Sequence, residues 1–140
     1  MKLAIASDHA GYELKEFLKN NLAEYQIIDI GCFSSESVDY PDYGHQLAEL
    51  VEKGEVSYGI AICGSGNGIN MTVNKHQGIR GALCWDVEIA HLAKAHNDAN
   101  IISLPARFLS KEKALDLVRI FLQTPFEGGR HLNRIKKIPC

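Results

Sequence analysis

Short apolar runs alternate with longer amphipathic segments along the whole chain. The apolar runs occupy residues 2–7, 25–31, 58–63, 80–85 and 100–105. Runs of this length, rich in Ile, Leu and Ala, predict β-strands. Because the segments between them predict helices, consecutive strands are expected to be joined by right-handed crossovers in a parallel sheet. The pattern therefore predicts an α/β domain, with five strands covered by helices on both faces.

Four segments have the spacing of apolar residues that is typical of amphipathic helices. They span residues 11–22, 43–54, 86–97 and 110–123. In the first segment, Leu14, Phe17, Leu18 and Leu22 form one apolar stripe. Lys15, Glu16 and Lys19 are predicted to lie outside that stripe, on the solvent side.

Residues that commonly begin or end helices lie at the ends of these segments. Asp86 and Ser110 are predicted N-caps, and Gly54 is a predicted C′ glycine. Pro125 follows the last of the four segments and ends it.

Length and composition restrict the chain to a few classes. It has 140 residues, of which 46% are hydrophobic and 23% charged, and no internal repeat or linker. Residues 1–140 therefore form a single predicted domain. The net charge of −2 gives no reason to expect nucleic acid or an anionic membrane as a partner. No apolar stretch approaches the roughly 20 residues of a membrane span, and the N-terminus does not resemble a signal peptide, so a cytoplasmic location is expected.

The four cysteines, Cys32, Cys63, Cys84 and Cys140, are far apart in the sequence. They contain no C-x-x-C pair of the kind that binds zinc or forms a redox centre. We therefore expect reduced thiols, and neither a metal nor a cofactor.

Candidate chemistry gathers after the predicted strands, because open parallel sheets bind ligands beyond the carboxyl ends of their strands. Asp8 and His9 follow the first strand, and the second leads into a long loop containing Asp39 and Tyr40. The third is followed by Gly64, Ser65, Gly66, Asn67 and Gly68, and the fifth leads to Arg107. Each residue also has a structural interpretation, since Asp8 could simply cap a helix and His9 could be a surface imidazole.

The glycine-rich stretch that begins at Cys63 lacks three familiar signatures. No lysine follows Gly68, as a nucleoside-triphosphate loop requires, and the dinucleotide fingerprint after the first strand is absent. Ile69 stands where a cysteine phosphatase would carry arginine. Cys63 could be a small buried hydrophobe, but a thiol where a strand meets a helix is favoured as thiolate. Loop amides beside it could stabilise an oxyanion.

Two further groups lie outside this edge by simple topology. The stretch 96–100, "HNDAN", precedes the fifth strand and should lie at the opposite edge of the sheet. Joining the others would require a partner molecule or an irregular path. Arg130 and Arg134 are four residues apart in a short basic C-terminal helix, about residues 129–138. That segment is either a solvated tail or a phosphate-binding element.

A thiolate, a cradle of amides, an imidazole and arginines together suit aldose–ketose isomerisation. The thiolate would move a proton between neighbouring carbons, and the amides would stabilise the enediolate. The imidazole would open a cyclic sugar, and the arginines would hold a phosphate.

Five stretches of the chain resemble the ribose-5-phosphate isomerase B family, which includes allose-6-phosphate and galactose-6-phosphate isomerases. They are "SDHAG" (7–11), "DYPDY" (39–43), "CGSGNG" (63–68), "HNDAN" (96–100) and "GGRHLNR" (128–134). The resemblance implies a Rossmann-like three-layer sandwich with a five-stranded parallel sheet. It also implies a homodimer, possibly paired into tetramers, with each active site built from both subunits. The C-terminal helix would then reach a partner subunit.

The resemblance also implies a role for each matched residue. Cys63 is the expected base between C1 and C2, Ser65 assists it, and His96 opens the furanose ring. Asp8, Tyr40 and Asn97 are expected to bind sugar hydroxyls. Gly64, Gly66, Asn67 and Gly68 match the anion hole, and His9, Arg107, Arg130 and Arg134 match the phosphate site.

Two departures and several alternatives accompany the resemblance. Ser65 stands where the family often has threonine, and Asn70 and Met71 follow the loop where some members carry a glutamate base. An allose-6-phosphate or galactose-6-phosphate isomerase stays open as an alternative. So do a catalytically silent sugar-phosphate sensor and a flavodoxin-like nucleotide-binding domain, although the full set of candidate residues favours the isomerase.

Overall fold

The computed structural model describes residues 1–140 as one parallel sheet with helices on both faces. The elements are β1 (Lys2–Ser7), α1 (Tyr12–Asn21), β2 (Gln26–Gly31), α2 (Tyr40–Glu52), β3 (Tyr58–Cys63), α3 (Asn67–Val73), β4 (Gly81–Leu83), α4 (Val87–Ala95), β5 (Ile101–Pro105), α5 (Lys111–Gln123) and α6 (Arg130–Ile135). Single 3₁₀ turns span His9–Gly11 and Ala106–Phe108. The strand order is β2-β1-β3-β5-β4, and every pair is parallel. The predicted five-stranded, Rossmann-like α/β fold is confirmed.

Two apolar clusters, one on each face of the sheet, lie between the sheet and the helix layers of the sandwich. On one face, Leu3 and Ile5 of β1 pack with apolar residues of α1, α4 and α5, including Phe121. On the other face, Ala4 and Ala6 pack with apolar residues of α2 and α3. Because side chains alternate along a strand, β1 contributes large residues to the first face and small ones to the second. The α2 and α3 helices can therefore approach the sheet closely.

Two glycines show how close that approach is. A Cβ on Gly59 of β3 would lie 3.0 Å from Leu47 of α2, and one on Gly44 would lie 3.0 Å from Thr72 of α3. Contacts this short leave almost no room for an added methyl group. The sequence thus fixes the spacing between α2, α3 and the sheet through residues without side chains.

The predicted element boundaries agree with the structure for most elements, and the differences concern α2, α3 and β4. Helix α2 begins at Tyr40, inside the segment expected to be a loop, because Pro41 fits the first turn of a helix. Helix α3 begins at Asn67, inside the glycine-rich stretch, and none of the four predicted helical segments covers it. At seven residues it is too short to give a clear periodic pattern. Strand β4 spans only three of the six residues predicted for it.

The four residues predicted at helix ends, Asp86, Ser110, Gly54 and Pro125, all lie at the ends of helices. The Ser110 hydroxyl accepts a hydrogen bond from the Lys113 N–H at 3.1 Å, and Gly54 has a φ of +74° after α2. Asp86 occupies the predicted N-cap position of α4 with extended backbone, but its side chain makes no capping hydrogen bond. Its carboxylate instead lies 3.3 Å from the Lys113 ammonium of α5. None of the helices combines the length and apolar character needed to cross a bilayer.

The prediction that Lys15 lies on the solvent side of α1 is wrong. Its side chain is 0% exposed, and its Nζ donates to Asp29 of β2 and to Glu16, both at 2.7 Å. Lys19 Nζ also reaches Asp29, at 2.6 Å. Helical periodicity predicts which side of a helix is apolar, but it contains no information about a carboxylate on a neighbouring strand. Asp29 makes the burial of the ammonium group possible.

The pKa of Asp29 reflects this arrangement. Burial alone would raise its pKa, but hydrogen bonds from Lys15 and Lys19 outweigh burial, so the pKa lies below its ordinary value. A carboxyl group with a lowered folded-state pKa stabilises the fold at pH values above its unfolded-state pKa. That contribution is lost as the pH falls through the folded-state pKa.

Asp29→Asn is expected to lower the free energy of unfolding by roughly 3 kcal/mol at pH 7, the lower end of the cost of breaking a buried ion pair. The amide keeps one hydrogen-bond acceptor, but the buried Lys15 ammonium loses one of its two charged partners and keeps only the more exposed Glu16. Denaturant titrations at pH 7 and at acidic pH measure the change. The variant's free energy of unfolding should also fall less steeply below pH 4 than that of the parent chain.

Glu24→Gln is the matched control, because Glu24 forms a more exposed ion pair with Arg119 at 3.8 Å. Its expected cost is below about 1 kcal/mol. Equal losses in the two variants would contradict a special role for Asp29.

Candidate active site

The largest cleft of the molecule, about 650 Å³, opens at the carboxyl ends of β1 and β3. Its lining consists of Asp8, His9, Ala10, Ser37, Val38, Asp39, Tyr40, Cys63, Gly64, Ser65, Gly68, Arg107 and Phe108. Eight of the residues predicted from the sequence lie in this lining: Asp8, His9, Tyr40, Cys63, Gly64, Ser65, Gly68 and Arg107. Gly66 and Asn67 belong to the same loop but do not line the cleft.

The parallel register of β1 and β3 sets the base of the cleft. Ser7 pairs with Ile62, and the Asp8 N–H donates to the Ile62 carbonyl at 3.2 Å. Asp8 therefore emerges beside Cys63, the last residue of β3. The two strands lie where the strand order reverses direction, which is where open parallel sheets bind ligands.

The loop between β3 and α3 presents several backbone N–H groups without acceptors. The N–H groups of Gly64, Ser65, Gly66 and Gly68 donate to no group of the chain. Only the Asn67 N–H is used within the loop, by the Ser65 hydroxyl at 3.3 Å. Unpaired N–H groups at the start of a helix form a concentrated set of donors for a negatively charged oxygen.

Gly66 is required by the shape of this loop. Its φ is +75°, and a Cβ would lie 2.5 Å from Leu83 and 3.1 Å from backbone atoms of Leu104 and Pro105. A side chain here would have to displace the neighbouring strands as well as adopt a left-handed conformation. Gly66 therefore packs against β4 and β5 and does not face the cleft.

Arg107 brings positive charge to the same loop. Its N–H donates to the Gly64 carbonyl at 3.0 Å, and its Nη1 would lie 3.1 Å from a Cβ on Gly64. The guanidinium group is exposed and forms no ion pair within the chain. Arg107 can therefore bind an anion in the cleft without first breaking a contact.

His9 and Asp8 are each held by one backbone N–H group. The Val38 N–H donates to Nδ1 of His9 at 3.2 Å, so Nε2 carries the proton when the ring is neutral. Asp8 is 6% exposed, and its Oδ1 accepts from the Gly11 N–H at 3.2 Å. The structural interpretation of Asp8 is thus correct, while its position in the cleft wall leaves it able to contact a ligand.

Tyr40 forms the opposite wall through close contact with Gly68. A Cβ on Gly68 would lie 2.4 Å from Cζ of the tyrosine ring. The absence of a side chain at this position lets the hydroxyl-bearing edge of the phenol contact the first turn of α3. The phenol hydroxyl is thereby placed beside the unpaired N–H groups of the loop.

The structure separates Cys63 from the other three cysteines. Cys63 is 4% exposed and lines the cleft. Burial raises the pKa of Cys84 to about 12, so that thiol stays protonated at neutral pH. Cys32 donates its thiol to the Ser34 carbonyl, and Cys140 is the exposed last residue. Cys63 is therefore the cysteine placed for chemistry on a ligand in the cleft.

Four predicted site residues, His96, Asn97, Arg130 and Arg134, lie outside this cleft. The Asn100 side chain accepts from the Arg80 N–H at 2.8 Å and donates to the Gly78 carbonyl at 2.9 Å. These contacts fix the stretch 96–100 at the amino edge of β4 and β5. Since Cys63 pairs with Pro105 at the far end of β5, roughly 17 Å of strand separates the two groups. Within one chain, the sheet keeps them apart, as the order of elements predicts.

The displaced residues form a second group of their own. The His96 and His131 rings stack, with centroids 4.3 Å apart and planes 15° from parallel. Arg130 and Arg134 are exposed on α6, beside His131, and form no ion pair within the chain. Asn97 lines a smaller cavity of about 240 Å³ together with Arg80 and Ile138.

Several lining residues have no signal in the sequence. Ser37 and Val38 lie in an irregular loop, and Val38 acts through its backbone N–H, which any residue but proline offers. Phe108 is 75% exposed, directly after Arg107. Outside the cleft, the sequence gives no signal that Glu127 and His131 lie beside His96, because His96 is more than 30 positions away.

Comparison with known proteins identifies relatives that match almost the whole chain. A family model described as Ribose/Galactose Isomerase matches residues 3–138. The ribose-5-phosphate isomerase B of Escherichia coli is 41% identical, over 98% of this chain and 93% of its own length. The crystal structure of a ribose 5-phosphate isomerase from Thermotoga maritima superposes with a TM-score of 0.97 at 48% identity, covering 99% of this chain and 97% of that one.

One further structure was determined with a ligand. A ribose-5-phosphate isomerase B from Mycoplasma genitalium with bound ribulose-5-phosphate has a TM-score of 0.94 and 38% identity to this chain. The match covers 98% of this chain and 93% of that protein. The resemblance indicated by the five sequence stretches is thereby confirmed, and the chain belongs to the ribose/galactose isomerase family.

Proposed function

We propose that the protein interconverts ribose 5-phosphate and ribulose 5-phosphate, with Cys63 as the base. The observation that carries the proposal is the position of Cys63 in the largest cleft, directly before a loop whose N–H groups lack acceptors. The family membership supports an isomerase, and the ribulose-5-phosphate complex of the Mycoplasma genitalium relative supports the choice of sugar.

The proton transfer needs one group that acts as base and then as acid. The Cys63 thiolate removes the proton from C2 of the open-chain aldose, and the C1 carbonyl becomes the oxyanion of a cis-enediolate. The same thiol then returns a proton to C1, while the O2 proton is released and C2 becomes the ketone. Ser65, whose hydroxyl is exposed beside the loop, is placed to relay a proton between the two oxygens.

The enediolate oxygens are expected to accept hydrogen bonds from the unpaired N–H groups of residues 64–68. These donors are fixed by the backbone, so they need no reorganisation when charge develops on the oxygen. The phosphate is expected at the other end of the sugar, against Arg107 and Nε2–H of His9. Asp8 and Tyr40, in the walls between, are placed for the sugar hydroxyls.

We infer that the complete site forms in a homodimer. The second group of residues carries an imidazole, an amide and two unpaired arginines but no thiol, whereas the cleft carries the Cys63 thiol and one arginine. The two groups have complementary functions and lie at opposite edges of one sheet. Two copies related by a two-fold axis would place His96, Asn97, Arg130 and Arg134 of one copy at the cleft of the other.

His96 would then open the ring of the bound furanose. It accepts the proton of the O1 hydroxyl and delivers a proton to the ring oxygen O4, which breaks the C1–O4 bond and yields the aldehyde. An imidazole can carry out both transfers because it holds and releases a proton near neutral pH.

The substrate preference tests the proposal directly. The kcat/KM for ribose 5-phosphate is expected to exceed those for allose 6-phosphate and galactose 6-phosphate by at least tenfold, because one extra carbon changes the distance from Arg107 to the reacting carbons. Steady-state kinetics on the three sugars measures this. Preference for a six-carbon sugar would keep the mechanism and overturn the substrate, and turnover of none would favour a sensor.

Cys63→Ala and His96→Asn are expected to separate proton transfer from ring opening. Both variants should lower kcat for ribose 5-phosphate, by about 10³-fold or more for Cys63→Ala and about 10²-fold for His96→Asn. Ribulose 5-phosphate has no furanose form, so exchange of its C1 proton with D₂O needs the base alone. NMR should show that this exchange persists in His96→Asn and disappears in Cys63→Ala. Exchange at the parental rate in Cys63→Ala would exclude Cys63 as the base.

Mixing the two inactive variants tests the composite site. In a mixed dimer, one site receives both substitutions and the other receives neither. After random exchange of subunits at equal concentrations, about one quarter of the parental activity should return. Mixing each variant with itself under the same conditions is the control. Absence of recovery, with exchange shown by mass spectrometry, would mean that each site lies within one chain.

A further inference from the structure

A histidine–glutamate–histidine cluster lies outside the cleft, at the junction of α4, the segment before α6, and α6. Its members are His96, Glu127 and His131. The Glu127 carboxylate lies 3.7 Å from Nε2 of His96 and 3.6 Å from Nε2 of His131, through different oxygens. All three potential ligand atoms lie within 4.8 Å of one another. Neither histidine–carboxylate contact is short enough to be a good hydrogen bond. The three side chains therefore face one volume, and their ligand atoms are not used in hydrogen bonds to one another.

The two nitrogen–oxygen distances are close to those around a tetrahedral metal ion. Bonds of 2.0–2.2 Å to nitrogen and oxygen put neighbouring ligand atoms about 3.3 Å apart. The two nitrogen–oxygen distances exceed that value by only a few tenths of an ångström. The stacked imidazoles, whose planes are 15° from parallel, must also turn so that both Nε2 lone pairs point at one centre. The half-buried His96 side chain can make this rotation, because it is 37% exposed.

The backbone holds the cluster together without a ligand. The Glu127 N–H donates to the Ala95 carbonyl at 2.9 Å, which fixes the segment before α6 to the end of α4. His131 follows Glu127 by four residues and has a side chain that is only 11% exposed. The buried His131 ring is therefore a fixed ligand, and the more exposed Glu127 and His96 can adjust around it.

We propose that His96, Glu127 and His131 bind a divalent transition-metal ion of the Zn²⁺ class. Two imidazoles and one carboxylate form a ligand set that suits Zn²⁺, Co²⁺ and Ni²⁺ and is poor for Mg²⁺, which prefers oxygen ligands. The three side chains leave a fourth position open to water. The proposed isomerisation does not use this ion.

The consequence of binding rests on the proposed function of His96. A metal ion on Nε2 takes the electron pair with which the imidazole accepts a proton, so a chain with an occupied site cannot open the furanose ring. Zn²⁺ is therefore expected to inhibit turnover of ribose 5-phosphate by occupying His96. The site would make the enzyme sensitive to free transition metals although its chemistry needs none.

Binding is tested first, on the full chain after removal of metal by a chelator. Titration with Co²⁺ should produce the visible absorption of a tetrahedral cobalt centre at one ion per chain, and Zn²⁺ should displace it. Glu127→Gln and His131→Asn should each weaken Co²⁺ binding at least tenfold. Glu127→Gln guards against misfolding, because its side chain is 55% exposed.

Two control variants separate this cluster from other ligands in the chain. His76→Asn removes a histidine that lies 3.3 Å from Glu52 and is hydrogen-bonded to His45 at 2.8 Å. Cys63→Ser removes the thiol of the cleft. Both should keep the parental cobalt spectrum and affinity. Unchanged binding in Glu127→Gln and His131→Asn, or loss of binding in Cys63→Ser, would overturn the proposed site.

Inhibition is measured separately, so that its failure is distinguishable from failure of the proposed function. Zn²⁺ should lower the parental turnover of ribose 5-phosphate, and Glu127→Gln should need at least tenfold more Zn²⁺ for the same inhibition. If Zn²⁺ occupies the site without inhibiting, while His96→Asn is slow, the inhibitory consequence is wrong. If His96→Asn keeps parental turnover, the role of His96 in the proposed function is wrong, and the cobalt spectrum still decides the metal site.

Discussion

The pairing of β1 with β3 is the constraint on which the rest of the site depends. It places Asp8 and His9 beside Cys63 and aligns two strand ends where the strand order reverses. The alanines of these strands let α2 and α3 pack closely on one face. That closeness brings Tyr40, the first residue of α2, against Gly68 in the first turn of α3. A bulkier residue at Gly68 would move the tyrosine and widen the cleft.

Charge is distributed so that two buried lysines have partners within the fold and three exposed arginines have none. The buried Lys15 ammonium is paired with the Asp29 carboxylate of β2. The buried Lys94 ammonium donates to the Phe121 carbonyl at 3.2 Å and lies 4.1 Å from the centre of the Tyr58 ring. Both buried cations thus have interaction partners within the fold. Arg107, Arg130 and Arg134, in contrast, are exposed and form no ion pairs in the chain. An anion can bind to them without competing against an internal partner.

The two edges of the sheet divide the candidate chemistry between two places. Strand β5 runs from Asn100, at the edge that holds His96, to Pro105, beside Cys63. No side chain can span that length of strand, so one copy of the chain cannot unite the base with the imidazole. The proposed homodimer resolves this geometry, and it also leaves His96 beside Glu127 and His131, where a metal ion would compete with ring opening.

The sequence alone determined the fold class, the five strands and the edge at which Asp8, His9, Cys63 and Arg107 meet. These features follow from hydrophobic periodicity and from the rule that parallel strands share a carboxyl edge, both of which are local or topological properties. It also predicted correctly that the stretch 96–100 lies at the other edge. The family followed from five short stretches, because their order and spacing are specific even though each alone is weak.

Tertiary structure decided the contacts between residues that are distant in the sequence. Lys15 is buried because Asp29 comes from another element, and the Asp86 carboxylate lies beside Lys113 rather than bonding to the N–H groups of its own helix. The Val38 N–H sets the protonated nitrogen of His9, although nothing about a valine in the sequence indicates this. Glu127 and His131 meet His96 only because the Ala95 carbonyl holds the segment before α6. Such pairings depend on how elements pack in space, and periodicity along one element contains no information about its neighbours.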